Sequence, residues 1–235
     1  MKLIIYNGSP RGLKSNTRLL MDEFIKGIYN EGRYDVEVYY LSARSQRLQG
    51  VEAFPTADKV ILAFPLYTDS MPGLVKEFIE KLSVYEGTDC NPDMGYVVQS
   101  GFPEPAHSRH VERYLERLTE RLDAKYLGTA VKGGVEGIRI MPGWMTKKLR
   151  KNFYLLGEKF NALGALDRRI IKRLTPSEQL NRRSLFLFKI MHNTSFGNFY
   201  WNKQLKENEV FELRFASPYA QSYKADMVTL LHDGE

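Results

Sequence analysis

The sequence is poor in the residues that build disulfide frameworks and metal centres. Its 235 residues include one cysteine, Cys90, and four histidines scattered at positions 107, 110, 192 and 232. A single cysteine excludes an internal disulfide and any multi-cysteine metal site, and it is typical of a reducing compartment. We therefore expect no metal centre and a cytoplasmic location.

Long hydrophobic runs are also missing. No apolar stretch approaches the roughly 20 residues that a membrane-spanning helix needs. The N-terminus lacks a signal-peptide pattern, because polar residues follow a short apolar run at once. With 43% hydrophobic residues, the chain can nevertheless bury a sizeable core. We expect a globular protein without a membrane span.

Positive charge is scarce in the first half and abundant in the last part. Residues 1–130 hold 16 lysines and arginines against 18 aspartates and glutamates, whereas residues 131–235 hold 18 against 10. The basic excess could recruit a nucleic acid, an anionic lipid or a phosphorylated cofactor, or it could form a solvated face. No nucleic-acid recognition motif accompanies it, so the sequence gives little support to nucleic-acid binding.

Short apolar runs alternate with helical periods through residue 130. The residues that recur at helical spacing include Leu20, Phe24 and Ile28. The run at positions 60–64 does not alternate with polar residues, as expected for a strand covered on both faces. The predicted strands are 2–7, 36–41, 59–64, 95–99 and 127–131. This pattern predicts an α/β fold with a doubly wound, five-stranded parallel sheet.

The loop after the first predicted strand, residues 7–17, has the composition of a phosphate site. Gly8 and Ser9 are followed by hydroxyl and amide side chains just before a predicted helix. Backbone N–H groups and the positive end of a helix dipole favour an anion there. The loop lacks the GxGxxG and GxxxxGK[ST] spacings, so it matches neither nucleotide fingerprint. A plain turn with Ser15 or Asn16 as the helix N-cap is the alternative.

Two further loops follow predicted strands and should lie on the same edge of the sheet. The second loop, residues 65–73, offers Tyr67 and Met71 as an apolar wall for a flat ring, or as ordinary rim packing. In the third loop, residues 99–104, Gly101 lets backbone amides approach a ligand and Phe102 adds apolar surface. His107 and His110 lie nearby, but a histidine near a helix start is more often a surface or capping group than a catalytic one. A phosphate cradle beside a flat apolar slot fits flavin mononucleotide (FMN) better than a nicotinamide dinucleotide.

Two segments, NGSPR followed by SNT and PLYTDSMPGLVKEFIEKL, closely resemble the flavodoxin-like, NAD(P)H-dependent FMN reductase and quinone reductase superfamily. The resemblance covers roughly residues 1–130. It implies a flavodoxin-like FMN-binding domain at 1–131, with residues 132–235 as a basic helical extension packed on it. It also implies contacts from the FMN phosphate to Ser9, Arg11, Ser15, Asn16 and Thr17. The flavin ring and ribityl chain would meet Pro65, Leu66, Tyr67 and Met71, and the other end of the ring would meet Ser100, Gly101 and Phe102.

The resemblance further implies an oxidoreductase that passes hydride from NADPH or NADH through FMN to a quinone, a free flavin or another small acceptor. Relatives often complete the flavin pocket across a homodimer interface, so a homodimer is expected. The aromatic segment 186–201 could form that interface or a lid, or could bury its own core. The alternative function is a flavin-binding electron carrier or sensor without direct NAD(P)H turnover. The sequence assigns no catalytic side chain.

Overall fold

The protein is described by a computed structural model, which covers residues 1–30, 32–175 and 198–217 and the single positions 182, 185, 186, 189 and 190. Contacts divide the chain into two units, Met1–Gln179 and Leu180–Glu235. The strands of the first unit are β1 (Lys2–Asn7), β2 (Asp35–Tyr40), β3 (Lys59–Pro65), β4 (Asp93–Gln99) and β5 (Tyr126–Lys132). Its helices are α1 (Asn16–Tyr29), α2 (Arg44–Ala53), α3 (Gly73–Lys81), α4 (Arg109–Arg121), α5 (Gly143–Leu163) and α6 (Arg168–Leu174).

All five strands are parallel and form one sheet in the order β2-β1-β3-β4-β5. Each predicted strand is present within two residues of its expected bounds, so the predicted doubly wound sheet is confirmed. Chain direction along the sheet reverses after β2, which makes the carboxyl ends of β1 and β3 a topological switch point. In sheets of this order, ligands bind in the crevice beyond that point.

One face of the sheet is covered by α1, α5 and α6. The side chains of Phe24, Phe153 and Phe160 are fully buried there, together with residues of β1 and β3. Two glycines let α1 and α5 touch at the backbone: a Cβ on Gly27 would lie 2.0 Å from the Tyr154 carbonyl oxygen, and one on Gly157 would lie 1.9 Å from that of Phe24. Helix α5, which begins directly after Pro142, is therefore part of the core of this unit. The predicted boundary at residue 131 stays a prediction.

The opposite face is covered by α2, α3 and α4, with Phe54, Phe78 and Leu115 fully buried against the sheet. Helix α2 has no counterpart among the predicted helical periods. Its sequence carries a weak apolar pattern, and Gly50 is its one buried residue, lying close to the ring of Tyr6. The hydroxyl of Tyr6 donates to the Gly50 carbonyl over 2.7 Å. Helix α2 is therefore held by a contact that periodicity does not reveal.

The second unit contains helix α7 (Phe199–Glu207) and a short 3-10 turn at Phe211–Leu213. The guanidinium of Arg214 lies over the ring of Phe211, 4.1 Å from its centroid. Most of the aromatic segment 186–201 lies outside the described residues. Across the part of the chain that the structure describes, no helix has the length and apolar character needed to cross a bilayer. That part also holds no group of three or more His, Cys, Asp or Glu placed to bind a metal ion.

Candidate functional site

The phosphate loop, residues 7–17, is fixed at the end of β1 by short contacts. The N–H of Gly8 donates to the Ala63 carbonyl at 2.7 Å, and a Cβ on Gly8 would lie 2.4 Å from Cγ2 of Val75. The side chain of Asn7 holds the loop from inside, because its Oδ1 accepts from the N–H of Ser9 and its Nδ2 donates to Oγ of Ser15. The loop therefore needs glycine and asparagine where the sequence has them.

Helix α1 begins at the end of this loop, with Ser15 as its N-cap. Oγ of Ser15 accepts from the N–H of Arg18 at 3.1 Å, so the capping alternative from the sequence holds for this residue. The N–H groups of Asn16 and Thr17 belong to the first helical turn, where a helix offers them no acceptor of its own. Because the helix dipole adds partial positive charge at the same place, this turn is suited to an anion.

The side chain of Asn16 connects the phosphate loop to the loop after β5. Its Nδ2 donates to the carbonyls of Val135 and Glu136, at 2.9 and 3.1 Å. Its Oδ1 is buried and has no hydrogen-bond partner among the described residues. A buried acceptor without a donor is costly, and a ligand hydroxyl would satisfy it.

An ion pair spans the mouth of the site. The Arg11 guanidinium lies 3.2 Å from Oε1 of Glu136, and both side chains are about half exposed. An exposed ion pair of this kind contributes about 1 kcal/mol or less to stability. Arg11 therefore places a guanidinium near the positive end of α1, in weak competition with the Glu136 carboxylate.

The second loop, residues 65–73, leaves β3 through a tight turn. The backbone groups of Tyr67 and Ser70 bond to each other, and Thr68 and Asp69 between them have φ angles of 49° and 60°. Positive φ at both central positions is the geometry of a type I′ turn, which non-glycine residues adopt at some cost. The turn presents the ring of Tyr67, which is 45% exposed, at the carboxyl edge of the sheet.

The third loop, residues 99–104, is fastened to the second loop and to the loop after β5. The carbonyl of Phe102 accepts from the N–H of Gly134 and from Oγ of Ser100, both at 2.9 Å. The Phe102 ring stacks on His107 with centroids 5.0 Å apart, and Nδ1 of His107 lies 2.8 Å from Oδ1 of Asp69. His107 thus joins two loops of the site.

A narrow cleft of about 30 Å³ lies where these loops meet at the ends of β1, β3 and β4. The cleft is narrow and opens to solvent. The ion pair between Arg11 and Glu136 forms part of its wall. The cleft is lined by Ser9, Arg11, Asn16, Pro65, Leu66, Tyr67, Gln99, Ser100, Gly101 and Glu136.

The structure thus brings eight of the twelve predicted site residues together. The other four lie apart from the cleft. Ser15 and Thr17 are buried behind it, where Ser15 caps α1 and Oγ1 of Thr17 accepts from Gln99 at 3.4 Å. Met71 lies in a shallow depression with Tyr114 and His110, and Phe102 is stacked on His107.

Sequence reasoning missed two lining residues, Gln99 and Glu136. Gln99 is the last residue of β4 and points to Thr17, so its position at a strand end was a usable signal. Glu136 lies in the glycine-containing loop after β5, on the same edge as the other three loops. Because loops that follow parallel strands lie at the same edge of the sheet, the sequence could have indicated this fourth loop as well. Nearby, burial lowers the pKa of Lys132 at the end of β5.

The comparisons with known proteins agree with the fold described above. A sequence profile for the flavodoxin-like fold matches residues 1–137, and the chain belongs to that family. An FMN-dependent NADH-azoreductase from Bacillus anthracis, solved in complex with FMN, is 13% identical with a TM-score of 0.52 and matches over 69% of this chain and 98% of its own. Smu.1420 from Streptococcus mutans is 12% identical with a TM-score of 0.53, over 68% of this chain and 100% of its own.

The azoreductase AzrA is similar to a like extent, with 14% identity and a TM-score of 0.51 over 68% of this chain and 100% of its own. No curated protein matches the chain. At these identities the solved structures establish the shared fold. The family membership confirms the flavodoxin-like architecture that the sequence predicts.

Proposed function

We propose that this protein binds FMN in the cleft at the ends of β1, β3 and β4 and is an NAD(P)H-dependent oxidoreductase acting on a small-molecule acceptor. The observation that carries the proposal is the first turn of α1 at the β1/β3 switch point, where Asn16 lines the cleft and Arg11 lies beside it. The proposal includes a cytoplasmic location and a homodimer.

Each part of the cleft has chemistry suited to a part of FMN. The phosphate would be held by the hydroxyl of Ser9, the N–H group of Asn16 and the guanidinium of Arg11. The unsatisfied Oδ1 of Asn16 would accept from a hydroxyl of the ribityl chain. Ser15 and Thr17 would act through their support of the loop. The donor set, the helix dipole and the orphaned acceptor therefore fit this cofactor.

The ring side of the site combines apolar surface with backbone donors. Pro65, Leu66 and Tyr67 would flank a flat ring, and the N–H group of Gly101 would face its polar edge. FMN, when bound, supplies hydride transfer between a nicotinamide donor and an acceptor. The protein's part is to bind and orient it and to place donors where negative charge develops on reduction. Phe102 and Met71 would widen this surface if the second and third loops move.

The cleft is narrow, and the Glu136 carboxylate competes for the Arg11 guanidinium that the FMN phosphate would use. Binding therefore requires the Glu136 carboxylate to leave Arg11. This requirement makes opposite predictions for two substitutions. Arg11→Gln should weaken FMN binding at least about tenfold, because a hydrogen bond to a charged group is lost. Glu136→Gln should strengthen FMN binding severalfold, because the competing anion is gone.

The binding experiment measures quenching of flavin fluorescence, with FMN and riboflavin compared for each variant. The unmodified protein should bind FMN more tightly than riboflavin. In Arg11→Gln the ratio of the two dissociation constants should be closer to one. Lys14→Gln is the matched control, since Lys14 is an exposed cation of the same loop that does not line the cleft. Equal binding of riboflavin and FMN would contradict the phosphate assignment. Failure to bind either flavin would overturn the proposal.

The activity experiment is an anaerobic titration of the FMN-loaded protein with NADPH and with NADH, followed by absorbance. Bleaching of the flavin bands by either donor supports the oxidoreductase and ranks the two donors. Flavin that stays oxidised would contradict NAD(P)H turnover and favour the electron carrier or sensor. Size-exclusion chromatography with light scattering tests the homodimer, and a monomer at micromolar concentration would contradict it.

A further inference from the structure

A second cleft lies beside the phosphate loop, on the other side of the loop that follows β5. It has a volume of about 320 Å³, at the lower end of the range for small-molecule sites. All its lining residues belong to the first unit. They are Lys132, Gly134, Ile138, Met141, Met145, Thr146, Lys148, Leu149, Asn152, Arg173 and Leu174.

The charges of this cleft are of one sign. Lys132, Lys148 and Arg173 line it, and no aspartate or glutamate does. Within the described part of the chain, Lys148 and Arg173 form no ion pair with a carboxylate. The Nζ of Lys132 donates to the carbonyl of Gly133, its immediate neighbour. Three cations without carboxylate partners around one cleft attract an anion.

The remaining surface of the cleft is apolar. Ile138 and Leu174 are buried at its floor, with 6% and 2% exposure, while Met141 and Met145 are partly exposed at its sides. Methionine side chains adapt to ligands of different shape because they are flexible and polarizable. The side-chain amide of Asn152 adds a donor and an acceptor. This combination suits a molecule with an apolar body and one anionic group.

The backbone around the cleft is held in place before any ligand arrives. The N–H of Val135 donates to the Ser100 carbonyl and that of Gly134 to the Phe102 carbonyl, at 3.0 and 2.9 Å. A Cβ on Gly133 would lie 2.4 Å from the Phe102 oxygen, so this loop packs directly against the third loop, residues 99–104. Because this wall is ordered before a ligand binds, the entropic cost of binding is lower.

We propose that this second cleft, between the loop after β5, α5 and α6, binds a small amphiphilic anion whose charged group lies among Lys132, Lys148 and Arg173. The site is distinct from the proposed FMN cleft, and its test does not depend on FMN. A carboxylate and a phosphate monoester share the required chemistry. The experiment separates these two sources of the anionic group.

The probe is 8-anilinonaphthalene-1-sulfonate, an aromatic sulfonate whose fluorescence rises in an apolar site. We expect saturable binding that octanoate or octyl phosphate displaces, with the stronger of the two identifying the preferred headgroup. Octanol has the apolar chain without the anionic group, and inorganic phosphate has the anionic group without the chain. Each should displace the probe at least about tenfold less well than the better of the two amphiphiles. Displacement by octanol as strong as by octanoate would overturn the anion site.

The double variant Lys148→Gln/Arg173→Gln should weaken probe binding at least about tenfold. Both side chains are exposed, so the fold should persist, and a thermal melt checks this. The control is Lys147→Gln/Arg169→Gln, which removes the same charge from neighbouring exposed positions outside the cleft. Equal weakening in both double variants would show a general charge effect and overturn the proposal. Stronger displacement by adenosine 2′,5′-bisphosphate than by octanoate or octyl phosphate would also overturn it, because the cleft would then recognise a polar nucleotide.

Discussion

The two faces of the sheet are packed in different ways. On the α1–α5 face, phenylalanines fill the core and the backbones of two helices meet at Gly27 and Gly157. On the α2–α4 face, the core contains tyrosines whose hydroxyls bond inside the protein, and an open cleft of about 550 Å³ separates α3 from α4. Substitutions that add volume on the first face should therefore destabilise the protein. On the second face, removing a hydrogen-bond partner of a tyrosine hydroxyl, or deprotonating that hydroxyl, should do so.

The comparison also shows that the α1–α5 face depends on sequence beyond the family match. Residues 1–137 match the family profile, yet Phe153, Leu156 and Phe160 of α5 are fully buried against α1 and the sheet. The same helix lines the proposed anion cleft. Helix α5 is therefore both a structural element of the core and one wall of that cleft.

The largest expected effect comes from adding one methyl group at the helix contact. Gly157→Ala places a Cβ against the Phe24 backbone, so α1 and α5 must separate, at a cost of about 3 kcal/mol in the free energy of unfolding. Gly143→Ala is the control, because it lies at the start of the same helix with open space around it. Urea unfolding measures both. Equal stabilities would show that the helices are not in backbone contact.

A smaller effect is expected from a buried hydroxyl pair on the opposite face. The hydroxyls of Tyr96 and Thr119 lie 2.7 Å apart, and both side chains are fully buried. Thr119→Val removes the hydroxyl that bonds to the Tyr96 hydroxyl, and it should lower the free energy of unfolding by about 1–3 kcal/mol. The double variant Tyr96→Phe/Thr119→Val should recover part of that loss. A double variant no more stable than Thr119→Val would contradict this account.

The tyrosines of the α2–α4 face predict a loss of stability at alkaline pH. Burial and a hydrogen bond to Glu37 raise the pKa of Tyr39 to about 12, and burial also raises the pKa values of Tyr6 and Tyr96. The unfolded chain releases these protons near pH 10. Stability is therefore fully present below about pH 10 and is lost as pH rises toward 12.

Urea unfolding between pH 8 and 11.5 measures this alkaline loss. Tyr39→Phe should make the decline shallower, while Tyr29→Phe, at an exposed position on α1, should leave it unchanged. A decline that is the same in both variants would mean that Tyr39 does not contribute.

The smallest expected effect concerns an ion pair between the two helices of the first face. Arg150 on α5 lies 3.2 Å from Glu23 on α1. Arg150→Gln should cost about 1 kcal/mol or less. Arg117→Gln removes a pair within α4 and should cost less still, because both of its members are exposed, whereas Glu23 is mostly buried. If Arg117→Gln proved the more destabilising in a thermal melt, the pairing across the helices would not be stabilising the α1–α5 face.

The sequence by itself determined the sheet and most of its helices. Apolar runs mark all five strands, and the fourfold spacing of Leu20, Phe24 and Ile28 marks the buried side of α1. Part of the loop at residues 7–17 is local as well, because Asn7 bonds to Ser9 and Ser15 within it. These features depend on neighbours along the chain, which a sequence shows directly.

Only the tertiary structure decided the features that depend on distant residues. Helix α2 is held by Gly50 against Tyr6, 44 residues away, so its own weak periodicity could not reveal it. Arg11 meets Glu136 across 125 residues, and that ion pair forms part of the wall of the proposed FMN cleft. The second cleft arises because β5, α5 and α6 converge. Packing between elements far apart in the chain, rather than local pattern, fixes each of these.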